Sequence, residues 1–118
     1  RLPSQFEWEN AARGAQNKLW PWGNNSDAKR CNCRESAVGD TTPVGHYALG
    51  VSEHTCHDMA GNVWEWTDSW YDEVQQDKVI RGGSFRSLPR QATTTYRDGF
   101  MPRYGRNDIG FRCVKDVE

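Results

Sequence analysis

The stretch that most constrains the fold is residues 58–66, which read DMAGNVWEW. A glycine–asparagine pair suits a tight turn, and an alternating pattern follows it directly. In a strand, that alternation places Trp64 and Trp66 on one face and Glu65 on the other. Two neighbouring indoles need a deep apolar surface to pack against. We therefore predict a turn followed by a buried strand.

The same stretch carries two carboxylates, Asp58 and Glu65, on either side of the glycine turn. A turn of this kind can bring both side chains together, with backbone carbonyls between them. Carboxylate and carbonyl oxygens are the ligands that hard cations such as calcium prefer. The sequence therefore indicates a candidate cation site at this turn.

Composition limits the class of protein. The chain has 118 residues, enough for one domain with one core. Its 15 basic and 16 acidic residues leave a net charge of -1, which argues against nucleic acid or an anionic membrane as partner. No apolar run approaches the ~20 residues of a membrane span. We expect neither a nucleic-acid nor a membrane partner.

The four cysteines are Cys31, Cys33, Cys56 and Cys113. Cys31 and Cys33 form a C-x-C pair rather than a zinc-finger spacing. Free thiols in a reducing compartment are the favoured interpretation, and a disulfide stays open as an alternative. We therefore predict a cytoplasmic location, with a secreted or periplasmic one as the alternative.

A helix is predicted near the start of the chain. Ser4 and Glu7 stand at capping-box spacing, and Gly14 is a typical C-terminal stop. Apolar side chains between them follow a helical spacing. The pattern predicts one short amphipathic helix over residues 5–13.

The remaining chain gives short strands and long loops. Strands are predicted at 42–47, 78–81 and 109–114, the last of them in the core. Residues 19–24 predict a rigid aromatic loop packed on the helix, and residues 87–107 show no lasting period. The result is a loop-rich α+β domain with short antiparallel strands and one or two helices. Long ordered loops tend to carry function.

Six ordered segments stand out along the chain: RLPSQFEWENAARG at 1–14, PWGN at 21–24, TTPVG at 41–45, DMAGNVWEW at 58–66, RGGSF at 81–85 and GFRC at 110–113. In this order they resemble the formylglycine-generating-enzyme, or sulfatase-modifying-factor, family. That family has a variant of the C-type-lectin fold, so the resemblance implies a C-type-lectin-like α+β domain. Complete family domains are longer, which implies that residues 1–118 form the C-terminal part of one domain preceded by further chain.

The resemblance also implies structural calcium at the turn. Family members hold an ion there, which corresponds to the side chains of Asp58 and Glu65 and the carbonyls of Gly61 and Val63. A second, weaker calcium site is implied at a loop that carries a serine where the family has an acidic ligand. Its residues are Asn32, Cys33, Ser36 and Val38. Neutral oxygens alone bind calcium weakly.

The family's oxidase converts a sulfatase cysteine to formylglycine with oxygen and copper(I), using two cysteines after the RGGSF segment. Here those two positions are Ser87 and Ala92. A hydroxyl and a methyl group neither bind soft copper(I) nor exchange with a substrate thiol. We therefore expect no copper and a domain without this catalysis.

Two enzyme alternatives remain open from the sequence. One is the formylglycine-generating oxidase itself with another copper arrangement. The other is an ergothioneine-type sulfoxide synthase, whose iron is held by histidines of a preceding helical domain. The three histidines His46, His54 and His57 do not form that set, so the iron site would lie in sequence upstream of this chain.

The third branch of the family is non-catalytic and binds ligands, and it includes variable proteins of diversity-generating retroelements. Its variable surface corresponds to residues 84–108, which suit a protein or small-molecule ligand because tyrosine and arginine are good interface residues. We expect Arg97 and Arg112 to act as internal clamps instead. The candidate ligand-binding residues are Ser84, Arg86, Ser87, Leu88, Arg90, Gln91, Tyr96, Phe100, Arg103 and Tyr104.

Overall fold

A computed structural model describes residues 1–117 and confirms the α+β class. Helix α1 spans Gln5–Arg13, and strands β1 to β4 span Trp64–Trp70, Lys78–Arg81, Arg97–Phe100 and Ile109–Gly110. Short 3-10 turns at Arg34–Ser36, Ala48–Gly50 and Pro89–Ala92 interrupt the loops. No helix within residues 1–117 is long and apolar enough to cross a membrane.

The predicted helix and its capping box are both present. The Ser4 hydroxyl accepts a hydrogen bond from the Glu7 amide at 3.1 Å, and the Glu7 carboxylate accepts one from the Ser4 amide at 2.8 Å. Gly14 ends the helix at φ +67° and donates its N–H to the Asn10 carbonyl. These reciprocal bonds satisfy donors that a helix start leaves free.

The four strands form one sheet in the order β3-β2-β1-β4. Strand β1 pairs antiparallel with β2, with Glu65 opposite Arg81, and β2 pairs antiparallel with β3. Strand β4 lies parallel to β1, with Trp64 opposite Ile109. The predicted Trp-x-Trp strand is therefore central, with a neighbour on each side.

The two faces of β1 have different partners, as the alternation predicts. The ring centroids of Trp64 and Tyr96 are 6.1 Å apart, and those of Trp66 and Phe100 are 6.2 Å apart. Glu65 instead accepts a hydrogen bond from the indole N–H of Trp8, on helix α1, at 2.9 Å. The helix and the aromatic side chains thus contact opposite faces of the strand.

Arg81 is a buried clamp that the sequence did not single out. Its side chain is 1% exposed, and one guanidinium nitrogen donates to the carbonyls of Thr95 and Tyr96 at 2.9 and 3.1 Å. Its other terminal nitrogen pairs with the Glu9 carboxylate on α1. This one side chain joins the sheet, the helix and the loop after Ala92.

The aromatic loop at 19–24 packs in a different place from the predicted one. Trp20 and Trp22 pack against a buried cluster that contains Cys31, Cys33, Ala60 and Ala92. Helix α1 contributes Trp8 and Ala12 to a separate cluster with Met59. The prediction that the loop packs on the helix is corrected, because the loop folds over the cysteines.

Two predicted strands are also corrected. Strand β4 ends at Gly110, Phe111 is 68% exposed, and Arg112 donates to Glu65, so residues 111–114 are not the predicted core strand. Residues 42–47 form a turn in which the His46 amide donates to the Pro43 carbonyl at 3.1 Å. Proline has no amide hydrogen to give a ladder, which favours the turn.

Residues 87–107 contain regular structure that their composition did not predict. Strand β3 pairs with β2 over four positions, from Arg97 opposite Arg81 to Phe100 opposite Lys78. A polar strand of four residues at a sheet edge carries too short a pattern to be recognised from sequence.

Candidate functional site

The turn before β1 is held between two other loops. Gly61 and Asn62 both have left-handed backbone angles, φ +75° and +69°. The Gly61 amide donates to the Gly82 carbonyl at 2.7 Å, and the Asn62 amide donates to the Asn32 carbonyl at 2.8 Å. A Cβ atom on Gly61 would lie 2.2 Å from the Asn32 carbonyl oxygen, so only glycine fits.

Beside this turn lies a cleft of about 370 Å³, the carboxylate cleft. It contains the Asp58 side chain, and one Asp58 oxygen, Oδ2, is buried without a hydrogen-bond partner among residues 1–117. Burial raises the pKa of Asp58 above its ordinary value. A partly buried carboxylate oxygen without a partner is costly, so this oxygen is suited to a cation or a hydrogen-bond donor. The residues that line the cleft are Val44, His57, Asp58, Asn62, Val63, Glu65, Phe111 and Arg112.

Glu65 lies in the same cleft but is already paired. Arg112 donates to both carboxylate oxygens, at 2.6 and 2.8 Å, and Trp8 donates to one of them. Burial lowers the pKa of Arg112, but the hydrogen bond and charge of Glu65 outweigh burial and hold it above its usual value. Arg112 therefore acts as the internal clamp that was predicted.

The first predicted calcium set fits a hard cation by its chemistry. Asp58 offers an unpartnered carboxylate oxygen, and Val63 and Glu65 line the same cleft. A carboxylate can accept about four hydrogen bonds or ligands, so Glu65 has capacity beyond its three donors. Within residues 1–117 no three His, Cys, Asp or Glu side chains gather as a metal cluster, so backbone carbonyls would complete the set.

The second predicted calcium set does not fit a cation. The Ser36 hydroxyl donates to the Cys31 and Ala28 carbonyls, at 2.7 and 3.0 Å, and accepts from the Cys33 amide. Asn32 keeps one buried amide oxygen without a partner, but Val38 is exposed. The Ser36 hydroxyl is therefore used in hydrogen bonds to the backbone that close a turn, and uncharged oxygen ligands bind calcium weakly.

A second cleft, the hydroxyl cleft, has a volume of about 310 Å³ and lies at the start of the 84–108 loop. At its floor the Ser84 hydroxyl donates to the Asp108 carboxylate at 2.9 Å, and the Ser87 hydroxyl accepts from the Ser84 amide at 2.9 Å. Arg106 donates to the other Asp108 oxygen at 2.8 Å. The cleft is lined by Trp64, Ser84, Arg86, Ser87, Gln91, Asp98, Arg106 and Asp108.

The structure divides the predicted ligand-binding residues into three groups. Ser84, Arg86, Ser87 and Gln91 line the hydroxyl cleft. Tyr96 and Phe100 are half-buried against the β1 indoles, so they mainly support the surface. The others lie outside the cleft: Arg103 and Tyr104 are exposed, and Leu88 and Arg90 border a neighbouring hollow beside Trp20.

Sequence reasoning missed four residues of this cleft: Trp64, Asp98, Arg106 and Asp108. Asp108 is the important omission, because it is 3% exposed and its two oxygens join Ser84 to Arg106. The Arg106-x-Asp108 spacing was the available local signal for an ion pair. Nothing local connects Asp108 to Ser84, 24 residues away.

The two positions that the resemblance matches to the oxidase cysteines, Ser87 and Ala92, are buried. Ser87 is 4% exposed and Ala92 is fully buried. The two nearest thiols are unexpected, because Cys31 and Cys33 pack in the same cluster as Ala92. Spacing along the chain separates them by about sixty residues and gave no sign of this proximity.

Comparison with known proteins agrees with the resemblance. Residues 1–117 match a family model described as the sulfatase-modifying factor enzyme 1-like domain. A relative from Bos taurus named inactive C-alpha-formylglycine-generating enzyme 2 is 35% identical over 130 residues, covering 97% of this chain and 43% of its own length. The chain therefore spans less than half the length of this relative.

Two further comparisons extend the range of similar proteins. A serine/threonine-protein kinase Pkn1 from Chlamydia trachomatis serovar L2 is 35% identical over 136 residues, covering 100% of this chain and 21% of the kinase. The solved structure of Treponema denticola variable protein 1 superposes with a TM-score of 0.85 at 24% identity, covering 94% of this chain and 45% of that one. At that identity the likeness shows a shared fold.

Proposed function

This chain belongs to the sulfatase-modifying factor enzyme 1-like family, and from that premise we propose that it is a non-catalytic module that binds a protein or small-molecule ligand. The binding face is the loop surface of residues 84–108 around the hydroxyl cleft. Similarity to an enzyme named inactive and to a protein named variable supports this proposal.

The observation that carries the proposal is the chemistry of the hydroxyl cleft. Ser87 stands where the oxidase branch has a cysteine, and its hydroxyl is occupied by the Ser84 amide. The Ser84 hydroxyl is likewise bonded to Asp108, so neither serine is paired with a histidine base. These contacts hold a fixed polar floor, which suits recognition better than covalent chemistry.

The rim of the cleft is suited to a polar, charged ligand. Arg86 and Arg106 supply positive charge and Asp98 supplies negative charge around the opening. Arg103 and the 57% exposed Tyr104 belong to the same loop and add exposed side chains to the proposed surface. Large polar-tipped side chains provide contact area at low entropic cost.

A display library of random peptides, panned against the immobilised chain, tests the proposal. We expect selected peptides whose binding weakens at least about tenfold in Arg86→Ala, a loss of ~1.4 kcal/mol. Lys115→Ala, at an exposed cation near the C-terminal end of the described chain that lines neither cleft, serves as the control and should leave binding unchanged. Peptides whose binding is weakened by neither variant would show that recognition takes place at another surface of the chain.

A direct assay separates this function from the oxidase alternative. The chain is incubated with copper(I), oxygen and a peptide containing the Cys-x-Pro-x-Arg sulfatase motif. We expect the peptide cysteine to remain unconverted, because a hydroxyl and a methyl group replace the thiols. Conversion of that cysteine to formylglycine would refute the non-catalytic function.

We further propose that calcium stabilises the fold at Asp58 and Glu65, with the carbonyls of Gly61 and Val63. The support is the buried Asp58 oxygen, which has no partner and which a cation would satisfy. An ion that binds only the folded state stabilises it by mass action. Calcium chelation is therefore expected to lower the melting temperature, and an unchanged melting temperature would contradict the site.

A further inference from the structure

Two arginines of the hydroxyl cleft carry hydrogen-bond donors that no other group within residues 1–117 uses. Arg106 donates through its Nε to Asp108 at 2.8 Å, and its side chain is 43% exposed while that of Asp108 is 4% exposed. Arg86 is exposed, and its guanidinium makes no hydrogen bond or ion pair within the described residues. The terminal nitrogens of both side chains are therefore available at the cleft that they line.

Contacts inside the chain hold each guanidinium in place before a ligand binds. Arg106 is bonded at its Nε and lies over the ring of Phe100, 5.0 Å from the ring centroid. Arg86 lies over the ring of Phe85 at 5.1 Å, and its backbone amide donates to the Ser84 hydroxyl at 3.1 Å. Side chains that are already held lose less conformational entropy on binding than freely mobile surface arginines.

Asp98 gives the same cleft one available acceptor. It is exposed, and its Oδ1 accepts a hydrogen bond from the Gly99 amide at 2.8 Å, while its Oδ2 has no partner within residues 1–117. Asp108 is less available, because Ser84 and Arg106 each occupy one of its oxygens. A ligand that matches the cleft therefore supplies acceptors to two arginines and a donor to one aspartate.

This combination of groups discriminates between kinds of anionic ligand. A carboxylate or a phosphate can accept two parallel hydrogen bonds from a planar guanidinium. A nucleic-acid backbone, however, presents only acceptors and repeated negative charge, which the Asp98 carboxylate repels. A peptide carries N–H donors beside its carboxylate side chains, so it suits the aspartate as well as the arginines.

A neighbouring hollow continues the site beyond Arg86. This hollow has a volume of about 380 Å³ and is lined by Arg34, Ala37, Gly39, Phe85 and Arg86. Because Arg86 lines both spaces, the hydroxyl cleft and the hollow adjoin at this side chain. A ligand long enough to occupy both meets a further exposed arginine, Arg34, that has no ion pair among the described residues.

We propose that the ligand of this surface is an acidic peptide segment, with one aspartate or glutamate carboxylate bound between Arg86 and Arg106. A backbone N–H of the segment donates to Asp98, and a second acidic side chain reaches Arg34 in the adjoining hollow. Asp108 positions Arg106 and does not contact the ligand. This inference names the ligand chemistry of the proposed binding function and rests on that function.

The peptides selected on the immobilised chain test the ligand chemistry through their sequences. We expect an aspartate or glutamate in the consensus, and we expect its replacement by the corresponding amide to weaken binding at least about tenfold. The loss should shrink as the salt concentration rises, because salt screens ion pairs in an open cleft. Displacement of the peptide by a thymidine oligonucleotide at lower concentrations than the peptide itself would assign the surface to nucleic acid and overturn the proposal.

A double-mutant cycle tests where the carboxylate binds. Against Arg86→Ala or Arg106→Gln, the same acid-to-amide change in the peptide should weaken binding by less than about threefold, because part of its partner is already gone. Arg106→Gln also takes a partner from the buried Asp108, so its melting temperature is measured alongside. Arg86→Ala removes no ion pair and gives the same test in an intact fold. Lys115→Ala is the control and should keep the full loss.

The outcomes separate this inference from the function on which it rests. Selected peptides that bind but tolerate the acid-to-amide change would leave the binding function in place and overturn the acidic ligand. An undiminished loss against both arginine variants would show that the carboxylate binds at another surface, which also overturns the proposal. Failure to select any binding peptide would contradict the binding function itself, and this inference with it.

Discussion

Asp58 and Arg81 are both charged residues inside the fold, and they differ in what surrounds the charge. Arg81 is almost fully buried, and although its Nε has no partner among residues 1–117, its two terminal nitrogens donate to three backbone carbonyls and pair with Glu9. Asp58 is less buried, yet one of its oxygens has no partner. Buried charges are stable only when they are paired and hydrogen-bonded, so the two residues make opposite predictions.

Asp58→Asn tests the calcium site through the sign of its effect. Without calcium, removal of an unpaired charge should raise stability by about 1 kcal/mol. With excess calcium, loss of a ligand should instead lower the melting temperature. Thermal unfolding with chelator and with calcium measures both, and Glu73→Gln, at an exposed carboxylate, is the control. Stabilisation under both conditions would contradict a calcium site.

The gain in stability that we expect from Asp58→Asn in the presence of chelator should depend on pH. Because burial raises the pKa of Asp58, the folded chain binds its proton more strongly than the unfolded chain. Stability from this group therefore falls as pH rises from the ordinary value of 3.8 through the folded value. The advantage of Asp58→Asn should be full at neutral pH and vanish below that ordinary value.

Arg81→Met removes a buried charge and takes one donor from three carbonyls and from one oxygen of Glu9, whose other oxygen keeps Arg13. We expect the free energy of unfolding to fall by about 3 kcal/mol, which is typical when one member of a buried pair is lost. Arg13→Met removes the other, more exposed partner of Glu9 and should cost about 1 kcal/mol or less. Denaturant unfolding measures both, and equal losses would mean that the Arg81 contacts contribute little.

At the scale of elements, the 84–108 loop combines a supporting part with a contacting part. Phe100 of strand β3 packs on Trp66, and Tyr96, directly before β3, packs on Trp64. Beyond β3 the chain is exposed as far as Asn107. Truncation of side chains to alanine should therefore reduce stability in the supporting part and weaken ligand binding in the contacting part.

Phe100→Ala and Tyr104→Ala separate support from binding. Phe100→Ala should reduce the free energy of unfolding by about 2 kcal/mol, less than for a fully buried ring because Phe100 is half-buried. Tyr104→Ala should change stability by less than about 0.5 kcal/mol but weaken binding of a selected peptide. A large stability loss in Tyr104→Ala would indicate a structural role for that side chain.

At the scale of the whole molecule, the turn before β1 joins the central strand to two distant loops. Gly61 contacts the loop at Asn32 through an isolated bridge and the end of β2 through Gly82. The Asn62 carbonyl also accepts a hydrogen bond from the Phe85 amide at 2.9 Å. A change at Gly61 should consequently disturb both clefts and the cysteine cluster together.

Gly61→Ala and Gly39→Ala form a matched pair. Both glycines have left-handed backbone angles, φ +75° and +77°. For that reason alone, alanine at either position should lower the free energy of unfolding by roughly 1–2 kcal/mol. A Cβ atom at Gly39 meets nothing within 4 Å, whereas at Gly61 it meets the Asn32 carbonyl oxygen. We expect Gly61→Ala to lose about 2 kcal/mol more by overpacking, measured by thermal unfolding. Equal losses would mean that the Asn32 loop yields easily.

Features set by near neighbours were predictable from the sequence. The capping box, the helix from Gln5 to Arg13, strand β2 and the two-faced strand β1 depend on residues a few positions apart. Their signals are steric and periodic, so they survive without knowledge of the fold. The same is true of the family, whose six motifs are local.

Only the tertiary structure decided where distant loops meet. It placed Arg112 on Glu65, Asp108 on Ser84 and the C-x-C pair against Ala92. These partners lie far apart along aperiodic chain, and their contacts depend on how the loops pack. The 58–66 stretch shows both kinds of feature. Its turn and strand follow from local sterics. The partners of its two carboxylates, Arg112 for Glu65 and none for one oxygen of Asp58 among residues 1–117, depend on which loops pack over the stretch.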